Sequence, residues 1–168
     1  MLYEKDVKGA LEDVRLTIPH YVFEVSDINE ALDPVNGGGN CGAVTYMGLL
    51  SLEDRLGTVP GFYTQFGFMP HTEKEGGKVI VGHALGRFDM AGRSYVFNQT
   101  RDGDIRIGPA KDFDIDERTL YYPTDEGYGE FIRTLYEIYG DEAPSFDRDE
   151  VLKVFKKTLA LKKGLTKA

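Results

Sequence analysis

The 168-residue chain predicts an α+β fold. Three observations lead there. Helical apolar spacing dominates the first third. Short β-rich runs separated by glycine-containing turns follow, as in an antiparallel meander. Helical spacing then returns near the end. No internal repeat, low-complexity tract or linker interrupts the chain, so residues 1–168 are expected to form one domain with a sizeable core.

Residues 4–17 carry Val7, Leu11, Val14 and Leu16 on one side of an amphipathic helix. The run HYVFEV, 20–25, is rich in strand formers. Ser26 is a good N-cap for about two helical turns over 26–32. Pro34 and the NGGG run force a loop. From Gly42 to Leu56 the apolar positions Ala43, Val44, Met47, Leu50 and Leu52 recur at helical spacing, with Gly57 as the stop. PGFYTQFGFMP, 60–70, is aromatic and bounded by prolines, and reads as irregular. TEKEGG, 72–77, reads as a polar turn.

KVIVGHALGRFD, 78–89, reads as a strand with Val79, Val81, His83 and Leu85 on one face. The chain turns at MAG and returns as the strand RSYVFNQT, 93–100, then turns at DGD into IRI, 105–107. FDIDERTLYY suits either a strand or an extended loop. Residues 127–140 read as a helix with Phe131, Leu135, Ile138 and Tyr139 on one side. Asp147 caps a final helix, 148–163, striped with Val151, Val154, Phe155 and Leu159.

The net charge of −8 argues against nucleic acid as the main partner. Charge is uneven: from Asp147 onward seven Lys or Arg face three Asp or Glu, a basic segment on an acidic body. Its bland reading is a solvated helix face, and its sharper one a docking surface. A single cysteine excludes an internal disulfide. The first residues lack a signal-peptide pattern, and no apolar run has the length of a membrane span, so a cytoplasmic protein of its producer is expected.

That cysteine, Cys41, falls where the glycine-rich loop gives way to a helix. Unpaired N–H groups at a helix start favour an anion, the form in which a thiol attacks, and can also hold an oxyanion. Glycines 37–39 let a substrate backbone approach closely. An isolated cysteine is otherwise a small buried hydrophobe. A nucleophilic thiol needs a base, and of His20, His71 and His83 the last lies in an apolar strand beside Gly82. With an even-numbered turn at Met90–Ala91 or Asp89–Gly92, paired residue numbers sum to 181 and Asn98 falls directly opposite His83. With a three-residue turn the sum is 182 and Gln99 takes that place. Either carboxamide could fix the imidazole tautomer.

GGGNCGAVTYMGLL, VGHAL and YVFNQTRDG together resemble the papain-like cysteine hydrolases of bacteria, most of all papain-fold toxin and effector domains, which include glutamine deamidases delivered into host cells. Those carry a Gly-Asn-Cys start to a helix, a strand His, and an Asp followed closely by Gln-Thr-Gly on the next strand. The layout is also similar to the cysteine-peptidase domains of bacteriocin exporters. The resemblance spans roughly residues 36 to 104. Asn98 stands where those relatives usually have Asp, although Asn serves in papain. The Gln-Thr pair follows at once, and RDG replaces the glycine. No separate oxyanion glutamine precedes Cys41; Asn36 and Asn40 are candidates by position.

The resemblance implies a papain-like fold, a central helix starting at Cys41 and packed on an antiparallel sheet. It implies a Cys41–His83–Asn98 triad acting on an amide of a protein or peptide, with no metal and no cofactor, and possible delivery to another cell. The alternative from another class is a catalytically idle binding or structural module of a phage or bacterium.

Three weaker signals complete the reading. GFYTQFGFMP looks faintly like the tyrosine segment of acetyl-coenzyme A-dependent acetyltransferases, a minor alternative to an aromatic loop packing beside the site. NGGGNCG lacks the Gly-Lys-Ser/Thr of a P-loop. Asp112, Asp114, Asp116 and Glu117 lack the calcium-loop pattern and read as solvated surface.

Overall fold

The computed structural model describes residues 3–19, 21, 28–33, 38–69, 74–75, 78–79, 83–100, 102–138 and 142–166. The expected strand at 20–25 lies outside them except for Tyr21, which forms an isolated parallel bridge with Gly39. His20, His71 and Asn36 also lie outside them.

Helix α1, Glu4–Thr17, buries Val7, Ala10, Val14 and Thr17, one stripe at helical spacing. Acidic Glu4 and Asp6 occupy its first turn, where the helix dipole favours them. Helix α2, Ile28–Ala31, is a single turn that buries Ile28 and Ala31. Helix α3, Cys41–Leu56, is buried without a break from Gly42 to Leu52, as a central helix covered on all sides must be. It packs against α1 on one side and against the sheet and the helix Thr124–Ile138 on others.

The sheet holds five antiparallel strands in the order β6-β5-β4-β1-β7: β1, Tyr63–Phe68; β4, Leu85–Met90; β5, Arg93–Gln99; β6, Ile105–Pro109; β7, Leu120–Pro123. A separate hairpin pairs β2, Lys74–Glu75, with β3, Lys78–Val79, at the segment read as a polar turn. Helix α4, Thr124–Ile138, buries Tyr128, Phe131, Ile132 and Leu135. Helix α5, Arg148–Thr166, begins at Asp147, whose Oδ1 accepts the Asp149 and Glu150 N–H groups at 2.8 and 3.2 Å. The architecture is therefore α+β.

Three expectations need correction. The segment 60–70 is not irregular: it contains β1, between β4 and β7. Thr64, Phe66 and Phe68 alternate inward with period two, so this aromatic run is a buried strand. The single strand expected over 78–89 is two: β3 ends at Val79 and β4 begins at Leu85.

The third correction concerns register. The β4–β5 loop is Ala91–Gly92, with φ of 52° and 75°, and Met90 pairs with Arg93. Paired numbers thus sum to 183, not 181 or 182. Two-residue hairpins favour a turn with positive φ at both central positions, and Ala-Gly puts glycine at one of them. A Met90–Ala91 turn would have forced two side-chain residues into that region.

Gly48 shows why α3 sits so close to the sheet. A Cβ there would lie 2.3 Å from the Phe97 ring, so the ring occupies the space that glycine leaves. Gly42, next to Cys41, admits the Phe131 ring of α4 in the same way, at 2.1 Å. The first turn of α3 is thereby fixed against α4.

Candidate active site

Cys41 is the first residue of α3 and is half-buried. Asn40 is the N-cap: its backbone is extended, and its Oδ1 accepts the Ala43 N–H at 3.1 Å. Its backbone carbonyl accepts the Val44 N–H at 3.0 Å. The remaining first-turn donors, Cys41 N–H and Gly42 N–H, have no partner among the described residues. Across from the helix end, the Ala84 N–H donates to Cys41 Sγ at 3.5 Å. The thiol therefore touches the residue immediately after His83.

His83 lies just before β4 and is exposed. Its Nε2 and Asn98 Oδ1 are 2.5 Å apart. Since the carboxamide oxygen can only accept, Nε2 carries the proton in this contact, and Nδ1 is the basic nitrogen of the neutral ring. Continuing the observed pairing would set Thr100, not Asn98, opposite His83. Asn98 is two positions away, and a two-residue offset keeps both side chains on one face. Such diagonal neighbours remain within reach of long side chains.

Gln99 has the opposite parity and turns to the other face of the sheet. It is buried, and its Oε1 has no partner among the described residues. The carboxamide that meets His83 is Asn98.

The faces can be assigned from packing. Gly86 of β4 lies against Leu49 of α3, and Phe97 of β5 against Gly48. Leu85 and Asn98 therefore face away from α3, as does Val96. There they line a groove of about 210 Å³ together with His83, Met69 and the segment Phe113–Thr119. That segment belongs to the connection between β6 and β7, strands at opposite edges of the sheet.

A larger cleft of about 660 Å³ lies between α3, β1, α4 and α5, lined by Glu53, Thr64, Thr124, Asp125 and Arg148 among others. These five side chains are engaged with one another. Arg148 pairs with Glu53, and with Asp125 at 3.0 Å; Thr64 bonds Glu53 and lies 2.5 Å from Thr124. Tyr46 donates to Asp125 at 2.7 Å and stacks on Tyr128. Burial, then the Asp125 carboxylate, pushes the Tyr46 phenol well above its ordinary range, against the opposing Arg148 charge. Neither thiol nor imidazole lines this cleft; the imidazole lines the smaller groove, and Cys41 lines neither.

Among the described residues, no three His, Cys, Asp or Glu side chains cluster as metal ligands. No helix among them is long and apolar enough to cross a membrane. The chain matches no family model, and comparison with curated proteins and with solved structures finds no match.

Proposed function

We propose that the protein is a thiol-dependent amide hydrolase with a papain-like arrangement, in which Cys41 is the nucleophile, His83 the base and Asn98 the residue that orients it. The observation that supports this most is the junction at residues 83–84: one dipeptide meets Asn98 through its imidazole and the Cys41 sulfur through its next N–H. These three residues come from a helix start and two sheet segments far apart in sequence.

To take the thiol proton, His83 must turn from the groove face, where Asn98 holds Nε2, toward Cys41 Sγ beside the Ala84 N–H. The thiolate adds to the amide carbonyl, and the oxyanion is held by the Cys41 and Gly42 N–H groups at the start of α3. Collapse of the adduct breaks the C–N bond, and His83 returns the proton to the leaving amine. Water then cleaves the thioester and regenerates the thiol; an amine in its place gives transamidation. The substrate is a protein, through either a glutamine side chain or a peptide bond, in keeping with a toxin or effector.

Alkylation by iodoacetamide tests this without a known substrate. Cys41 should react at neutral pH at least about tenfold faster than in the unfolded chain. His83→Ala should remove most of that excess, and Asn98→Ala part of it. Labelling no faster than in the unfolded chain, or indifferent to His83→Ala in a folded variant, overturns the proposal.

A further inference from the structure

The groove beside the His83–Asn98 pair has a two-part character that the triad does not use. Met69, Leu85, Val96, Phe113 and Ile115 give it an apolar lining. Its mouth carries Asp114 and Asp116, both exposed. Asp116 is paired with Arg118 at 2.8 Å, whereas Asp114 has no partner among the described residues. Over residues 111–118 four carboxylates face two cations, so this wall of the groove is net negative. At about 210 Å³ the space is smaller than pockets that enclose whole small-molecule ligands, and suits one side chain.

We infer that this groove is a substrate subsite for a lysine or arginine side chain of the polypeptide whose amide Cys41 attacks. The inference rests on the hydrolase reading for the word substrate, but its binding step stands apart from the thiol. Lysine and arginine are the side chains whose long aliphatic stem lies along apolar surface while the charged head stays wet. Here the stem lies along the partly exposed Met69, Phe113 and Ile115, above buried Leu85 and Val96, and the head meets Asp114. An acidic side chain at this place would face like charge, and a purely aliphatic one would leave Asp114 unanswered.

The test is methyl NMR on the full chain. The probes are acetyl-Ala-Lys-Ala-amide and its glutamate and norleucine counterparts. The lysine peptide should shift the methyl signals of Met69, Leu85, Val96 and Ile115. It should bind about threefold more tightly than the norleucine peptide, the scale of one exposed charge pair, and more tightly still than the glutamate peptide. Asp114→Asn, a surface change that should leave the fold intact, should abolish the lysine advantage. Asp114→Lys should reverse the order of lysine and glutamate peptides. Cys41→Ala should bind the lysine peptide as the native chain does, so a failed alkylation test with intact peptide preference would strike the hydrolase reading alone. Equal binding of all three peptides, a preference for glutamate, or no shift at these methyls overturns the subsite.

Discussion

Asn40 has two candidate jobs, and one substitution series separates them. As the N-cap of α3 it accepts the Ala43 N–H through Oδ1. Asn40→Ala should therefore cost about 1 kcal/mol in denaturant unfolding. Asn40→Asp keeps an acceptor that the helix dipole favours and should be the more stable of the two variants. It also places a negative charge beside Cys41, which disfavours the thiolate and should slow alkylation at neutral pH. If Asn40→Asp were as unstable as Asn40→Ala, the capping role would fail. At this scale the sequence was informative because residue type carries chemistry. A lone cysteine after Gly-Asn, a histidine and a carboxamide can be picked out by what they do. The meeting of Asn98 with His83 was legible only through parity, since the register itself was misjudged by two places. A one-place error would have nominated Gln99, whose amide is buried on the other face.

Among the elements, α3 and the hairpin strands β4 and β5 set the site, and the glycine at their contact can be tested. An alanine at position 48 gains roughly 1 kcal/mol of helix propensity. Against this, its Cβ would fall 2.3 Å from the ring of Phe97, a fully buried side chain with no open space to retreat into. Overpacking of this kind costs about 1–3 kcal/mol, so Gly48→Ala should be destabilised on balance. Gly164 of α5 meets nothing within 4 Å, and Gly164→Ala should be stabilised by up to about 1 kcal/mol. Thermal midpoints moving in opposite directions would bear this out; two gains would mean that Phe97 repacks freely. The helices were readable because their apolar stripes and caps are local: α1 runs over the expected residues, and Asp147 caps α5. Strand β1 was not. Its flanking Pro60 and Pro70 and its glycine resemble loop punctuation, while its burial depends on β4, β7 and α4, which local composition does not reveal.

At the scale of the whole molecule, the helices are tied together away from the site. Arg148 at the start of α5 grips Glu53 of α3 and Asp125 of α4, and Tyr46 of α3 donates to the same Asp125. Lys156 and Lys163 of α5 reach Asp54 and Asp13 at 3.6 and 3.7 Å, so part of the basic segment faces acidic partners within the fold. The Tyr46 phenol gives this tie a pH signature. Its folded pKa is raised, so folding favours the protonated phenol. Its contribution is present in full below the unfolded phenol value of about 10 and is lost as pH rises above it. Tyr46→Phe removes both the hydrogen bond and this titration. At pH ~8 the variant should be about 1 kcal/mol less stable than the native chain, the scale of one net hydrogen bond. Above pH ~10 the native chain loses stability faster, so the gap should narrow and close. The raised phenol of Tyr121 remains in both proteins and cancels in the comparison. Urea unfolding of the two proteins across this range checks the difference directly. A gap that stays constant from neutral to alkaline pH would mean that Tyr46 ionises alike in the folded and unfolded chains, and that its hydroxyl is not held by Asp125 inside the helix junction.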